Sequence, residues 1–320
     1  MKSWDLTTLG STMLSLTTEP GVPLLSSGDL RLDVAGAESN CAISLAHLGK
    51  RVSWHSKVAS GPLGERVISG IRAHGVNVSS VIRGDEGRTE QMWVESGVGA
   101  NMTTVSYDRG GASMETLRIE EVDLDALHDS QYFHATGITP ALSEDNRNAV
   151  LDTVQLACKA GVRVSFDINY RSKLWAPQRA REVLSTIIPG IHLLFIKETD
   201  LALLWDRRGD AETELRSLQE EFGIANIVLT RAGDGASAVL EDHFESHQAF
   251  VGEPVSPIGA GDALAAGVLY SLMEDEERLA LKRGCAMASL ARESRSDYVV
   301  GGRLALDARI RGEEERRVLR

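Results

Sequence analysis

The spacing of apolar and polar residues changes period repeatedly after about residue 35. Asn40 to Leu48 has helical spacing and closes at Gly49, and Val52 to Ala59 reads as a strand. Gly64 to Ala73 is again helical and ends at Gly75. Further on, Arg163 to Asp167, His192 to Ile196 and Asn226 to Thr230 are strand-like, with helix-like Gln178 to Ile187 and Ala211 to Phe222 between them. Helices that end in Gly and lead into short Val/Ile-rich strands are the pattern of βαβ units. The class expected is α/β, with a parallel sheet and helices on both faces.

Two stretches break this rhythm. Ser11 to Val34 carries Thr, Leu and Val with Pro20, Pro23 and Gly28, but no helical period. Thr89 to Arg109 reads as a hairpin, Gln91 to Glu95 and Met102 to Tyr107 alternating around Ser96-Gly97-Val98-Gly99. Together they are expected to form a small β-flap, from about 11–34 and 89–109, inserted into one domain spanning 1–320. The tail Arg309 to Arg320 mixes Arg and Glu and reads as a solvated helix end.

Composition narrows the function classes. The 320 residues hold 34 Lys and Arg against 46 Asp and Glu, a formal net charge of −12. That balance opposes non-specific binding to nucleic acid or to an anionic membrane, which needs clustered cations. Cys41, Cys158 and Cys285 are far apart, so no zinc or redox spacing exists, and an odd count fits a reducing compartment. The longest apolar stretch, Val183 to Ile196, is interrupted by Pro189 and Gly190, short of a membrane span. Met1 to Gly10 lacks the basic and apolar regions of a signal peptide, and the expected location is the cytoplasm.

The strongest chemical signal is Pro257-Ile258-Gly259-Ala260-Gly261-Asp262-Ala263-Leu264-Ala265-Ala266-Gly267. Two glycines one residue apart, followed by small apolar residues, describe a tight turn opening a buried helix. Such a turn aims backbone N–H groups at one point, where the helix dipole adds positive potential: an anion site. Asp262 at its mouth has two readings. It is a general base for a nucleophile attacking a phosphoryl group held there, or it is an N-terminal cap. Leu264 stands where a dinucleotide fingerprint needs its third Gly, which argues against a dehydrogenase, and no GxxxxGK[ST] is present.

Ser256 to Leu269 resembles the C-terminal signature of the ribokinase-like sugar kinases, the PfkB family. Ala35-Gly36-Ala37-Glu38-Ser39-Asn40-Cys41-Ala42 resembles their N-terminal signature, and Gly61-Pro62-Leu63-Gly64 and Gly75-Val76 follow at the family's spacing. The resemblance implies an ATP-dependent kinase using magnesium, with a Rossmann-type central sheet flanked by helices and a small β-sheet lid. It implies that Gly259, Ala260 and Gly261 form the anion hole and that Asp262 deprotonates the sugar hydroxyl. Thr230-Arg231-Ala232-Gly233-Asp234-Gly235 resembles the family's ATP loop, which points to Thr230, Gly233 and Gly235 as nucleotide contacts. Homodimer formation through the lid strands is a further implication.

Two positions depart from the family pattern. Lys197-Glu198-Thr199-Asp200 stands where Asn-x-x-Glu is common: Lys197 can contact phosphate as a point charge, and Asp200 keeps the acidic position, with an indirect role at the metal. Ser256 stands where many relatives place an Asp that helps bind a monovalent cation, so a strong potassium dependence is not expected.

Substrate choice turns on charge. A sugar acid needs a cation for its carboxylate, best a planar Arg. Tyr107-Asp108-Arg109 ends the hairpin and Asp167-Ile168-Asn169-Tyr170-Arg171 follows a strand. Both segments, with Lys173-Leu174-Trp175, resemble those of the 2-keto-3-deoxygluconate kinases. The resemblance implies Tyr107, Arg109, Arg171 and Asp297 on the sugar acid, alongside Gly36 and Asn40. The competing readings are Arg residues that merely pair with surface carboxylates, a kinase of a neutral sugar, and a non-catalytic sugar or nucleotide sensor. His243 and His247 lack a third ligand nearby, and Trp54, Trp93 and Trp205 read as packing residues.

Overall fold

In a computed structural model, described for residues 2–97 and 103–318, the chain forms two sheets with helices around the larger. The strands are β1 (Trp4–Leu9), β2 (Met13–Thr17), β3 (Arg31–Ala35), β4 (Val52–Ala59), β5 (Val81–Gly84), β6 (Gln91–Glu95) and β7 (Thr104–Asp108). They continue as β8 (Ser130–Thr136), β9 (Arg163–Asp167), β10 (Leu193–Lys197), β11 (Asn226–Thr230), β12 (Ala236–Leu240) and β13 (His243–His247). The first helices are α1 (Ala37–His47), α2 (Pro62–Arg72), α3 (Leu124–His128), α4 (Thr139–Leu142), α5 (Glu144–Lys159) and α6 (Pro177–Ile187). The later ones are α7 (Glu198–Trp205), α8 (Ala211–Phe222), α9 (Ala260–Met273), α10 (Ala280–Arg292) and α11 (Gly302–Val318).

The large sheet has the order β13-β12-β11-β10-β9-β8-β1-β4-β5. Its members are parallel from β11 to β5, and β12 and β13 are added antiparallel at one edge. Strand β10 shows why it is covered on both faces. Leu193 and Phe195 point into one buried cluster, with Trp54, Ile43 and Leu269, while Leu194 and Ile196 point into the other, with Phe166, Leu184 and Leu218. Local signals set the helix ends: Ser143 caps α5 by accepting from Asn146 N–H at 3.0 Å, and Gly223, at φ 64°, terminates α8.

The small sheet, called the lid below, has the order β3-β2-β6-β7 and joins the two stretches that break the helical rhythm. Strands β6 and β7 are antiparallel, Gln91 opposite Asp108; Val98, Gly99 and Met102 of the expected hairpin lie outside the described residues. Strand β1 crosses to the lid within Gly10 to Thr12, and β3 runs into α1 through Gly36. The tail from Arg309 falls in α11, and the solvated character read for its end lies outside the described side chains.

Candidate active site

The polar ends of the parallel strands converge beneath the lid, as expected at the carboxyl edge of an open α/β sheet. Asp167 ends β9, Lys197 ends β10 and caps α7, and Thr230 ends β11. Under the lid lies a cavity of about 290 Å³ lined by Gly36, Asn40, Tyr107, Arg109, Asp167, Asn169, Arg171, Lys197, Asp297 and the turn Pro257 to Asp262, among others. Three cations and three carboxylates thus share one wall space in a chain that is acidic overall.

The turn is built by Gly259. At φ 79° it is left-handed, and an added Cβ would lie 1.9 Å from the carbonyl oxygen of Asp297. It caps α9, whose first intrahelical donor is Ala263 N–H, on Gly259 O at 2.9 Å. The N–H groups of Ala260, Gly261 and Asp262 precede that bond and face the opening of the helix. Gly261 has nothing within 4 Å of where a Cβ would sit, so the space in front of the turn is open.

Asp262 follows in the first turn. Asn40 Nδ2 donates to its Oδ2 at 2.8 Å, and no side-chain cap bond is formed at this helix start. The cap reading is therefore corrected: Gly259 holds the cap position, and the Asp262 carboxylate is turned to the cavity wall and to Asn40. Burial pushes the Asp262 carboxyl up to about 6, against the pull of the Asn40 amide and of the positive Arg171 and Lys197. Burial likewise lifts Asp167 to about 7, opposed first by Lys197, and Asp297 to about 7, where Asp262 and Asp33 add to the effect. Arg109 stacks over the Tyr107 ring at 4.8 Å, with Lys173 Nζ 5.9 Å from that ring, and its Nη1 is buried without a partner.

A second cavity of about 430 Å³ opens on the other side of the turn. It is lined by Glu198, Thr199, Thr230, Gly233, Gly235, Phe250, Leu264, Ala288, Ser289, Arg292 and others. The two cavities share Lys197, Pro257, Ala260 and Gly261. The first is lined by charges of both signs, and the second is lined largely by apolar surface.

The pfkB family carbohydrate kinase model matches residues 5–299. The chain belongs to the PfkB family of carbohydrate kinases. It is 36% identical over 297 residues to the 2-dehydro-3-deoxygalactonokinase of Haloferax volcanii, covering 92% of this chain and 93% of that one. It is 30% identical over 309 residues to the 2-dehydro-3-deoxygluconokinase of Bacillus subtilis, covering 92% and 91%. Among solved structures, the 2-dehydro-3-deoxygluconokinase of Thermotoga maritima superposes with a TM-score of 0.89 at 23% identity, over 96% of this chain and 98% of that one. Its fold is thus the fold of the kinase.

All of Gly36, Asn40, Tyr107, Arg109, Arg171, Asp297 and Asp262 line the first cavity of this kinase, and Thr230, Gly233 and Gly235 line the second. Asp200 is not brought to either cavity. It is buried, and its carboxylate accepts from Tyr170 N–H at 3.3 Å and Thr199 Oγ1 at 3.5 Å. Sequence reasoning missed Asp167 and Asn169 as site residues, although both stand in the segment singled out for Arg171. Asn169 sits at φ 39° with a buried, unpartnered Oδ1. It also missed Glu38, whose Oε1 accepts from Thr136 N–H (3.2 Å), Thr136 Oγ1 (2.8 Å) and Thr139 Oγ1 (3.0 Å), tying α1 to the end of β8.

Proposed function

We propose that this kinase transfers the γ-phosphoryl group of ATP to a primary hydroxyl of a 2-keto-3-deoxy sugar acid. The observation that carries the reading is the wall common to the two cavities. A nucleotide in the apolar cavity and a sugar in the charged one meet at the free N–H groups of Ala260 and Gly261, with Lys197 beside them. Phosphoryl transfer needs little covalent participation by the protein and much positioning and charge stabilisation. Asp262 takes the proton of the attacking hydroxyl, and a carboxyl lifted to about 6 is ionised at neutral pH yet basic enough to accept it. Among the described residues there is no group of three acidic, His or Cys side chains that could hold a metal, so magnesium enters with the triphosphate oxygens rather than in a protein cage. With Ser256 in place of the family's Asp, turnover without a strong need for potassium is part of this reading.

The acid class rests on Arg109 and Arg171, and on relatives named for 2-dehydro-3-deoxy sugar acids. "2-Dehydro" and "2-keto" denote the same carbonyl. We name 2-keto-3-deoxygluconate as the first substrate to test, with its galacto epimer beside it because that is the acid in the name of the Haloferax relative. The chain is read as one kinase domain with a lid, acting in the cytoplasm as a lid-to-lid homodimer. The test is coupled ADP release with ATP, magnesium and a panel of acids and matching neutral sugars. Arg109→Met is the informative variant, since Arg109 has an unpartnered Nη1. Loss of a charge-assisted bond of roughly 1.5–3 kcal/mol should lower kcat/KM for the acid by about one to two decades. Activity on a neutral ketose should be nearly unchanged. Equal losses on both would make the neutral-sugar kinase the better reading.

A further inference from the structure

A set of polar side chains outside the cavities connects the lid to the anion turn. Asp33 lies on lid strand β3, opposite Ser15 of β2. Its carboxylate accepts from Tyr298 Oη at 2.8 Å, from Ser296 Oγ at 3.1 Å and from Arg31 Nη1 at 3.0 Å. Arg31 Nη2 also donates to the carbonyl of Arg295. The residues on either side of Asp297 are therefore both bonded to one lid carboxylate. Asp297 in turn presses its backbone against Gly259, where any side chain would collide with the Asp297 carbonyl.

The hydrogen-bond directions are fixed along this path. Because Tyr298 donates to Asp33, its oxygen accepts from His74 Nε2–H at 3.1 Å, which leaves His74 Nδ1 to accept from His47 Nε2–H at 3.0 Å. Burial lowers the proton affinity of both imidazoles, so each is neutral with a single N–H, and burial together with the Asp33 charge pushes the Tyr298 phenol well up, so it keeps its proton. Tyr298 itself is buried, and Val299 N–H is held by Ser44 Oγ of α1 at 3.1 Å. The segment Arg295 to Val299 is thus tied to the lid through Asp33 and Arg31, to His74 after α2 and to α1 through Ser44, and it lies against the turn at Gly259.

We propose that Asp33 is a positioning residue for phosphoryl transfer: through Ser296 and Tyr298 it sets the place of Asp297 and, through the Asp297 backbone, of the Gly259 turn. The inference rests on the assignment of that turn to the phosphoryl group, and it adds that the lid and the turn are one mechanical unit. A lid carboxylate that only stabilised the fold would act on stability and leave the turn's geometry to the helix.

The test uses Asp33→Asn, Tyr298→Phe and the double variant in the full chain. Each single substitution is expected to lower kcat by up to about 10²-fold, the scale of a displaced reacting geometry, with the nucleotide KM essentially unchanged. The double variant should be no slower than the slower single, because both break the same link. Amide exchange of the peptides covering 256–262 and 295–299 should accelerate in all three, while strands β8 to β11 keep their protection. Wild-type kcat in both singles, or losses that multiply in the double, would overturn the proposal. Failure of the sugar-acid reading is visible separately, as a wild type that turns over only neutral sugars or none. The exchange measurement needs no turnover, and unchanged protection of 256–262 in both singles overturns the link by itself.

Discussion

Gly259 and Gly261, with one residue between them in one turn, stand under different constraints. The first has positive φ and no room, the second ordinary φ and open space in front of it. Gly259→Ala should therefore destabilise the fold, by at least about 1 kcal/mol from the backbone alone, and lower the thermal midpoint. Gly261→Ala should melt like the wild type and lose about 10²-fold in kcat, because its methyl occupies the place of the transferred group and blocks the donors. Equal melting curves and equal activities for the two would show that the turn is only a packing device. Asp262 carries a second consequence. Its carboxyl is raised by burial to about 6, so kcat/KM should fall as pH drops through about 6 and the base is protonated. The stability effect has the opposite sign. Between the ordinary carboxylate range and about 6 the native state binds the proton that the unfolded chain has released, so this group's contribution to stability is lost as pH rises. Asp262→Asn should abolish the acid limb with a kcat loss of roughly 10²–10⁴-fold, and its melting temperature relative to the wild type should rise as pH rises from the ordinary carboxylate range to about 6 and level off above it. A wild-type-like rate in the folded variant would remove Asp262 from the chemistry.

At the scale of elements, Val52 to Ala59, Arg163 to Asp167, Ala211 to Phe222 and Asn226 to Thr230 match the structure at both ends. The helix carries its own boundary signals, Asp210 at its start and Gly223 at its end, and the three strands are buried almost throughout. The lid was legible as a departure from period, since strands with one covered face lack the continuous apolar run of the central sheet. The pairing inside it was not legible. Nothing local in Met13 to Thr17 says that its parallel neighbour is Gln91 to Glu95 rather than its own next strand alone. The site divides in the same way. Gly259, Gly261 and Asp262 announce themselves because glycine spacing in front of a small-residue helix is rare chemistry. Glu38, Asp167 and Asn169 do not, because their meaning comes from strand ends that are remote in sequence and adjacent only after the sheet has formed. Asp33 looks like an ordinary alternating polar residue until Tyr298 is placed against it.

For the molecule as a whole, the lid poses a question of assembly. Leu32 of β3 is 43% exposed and Leu25, in the loop before it, is fully exposed. Apolar side chains on a small sheet with two open edges favour pairing with a second copy. We expect a homodimer in light scattering at working concentrations, and expect Leu32→Asp to shift it toward monomer while the kinase fold persists. A wild-type monomer across that range would contradict the lid-to-lid arrangement and leave the phosphoryl chemistry untouched.

The path of the chain also orders its own maturation. The cavity under the lid takes residues from Met13 at one end of the sequence to Asp297 at the other, and the lid pairs Leu14 with Gln91 across the whole β4-α2-β5 unit. Strand β1, which leads into the lid, is seated between β4 and β8, so its place in the sheet waits for a strand made more than a hundred residues later. Contacts closed over such distances form late, after local helices and neighbouring strands have met. During synthesis the larger cavity is therefore incomplete until α9 and α10 emerge, and the cavity under the lid until Asp297 follows them. A chain truncated before Asp297 should accordingly show no phosphotransfer, because the cavity under the lid then lacks part of its wall.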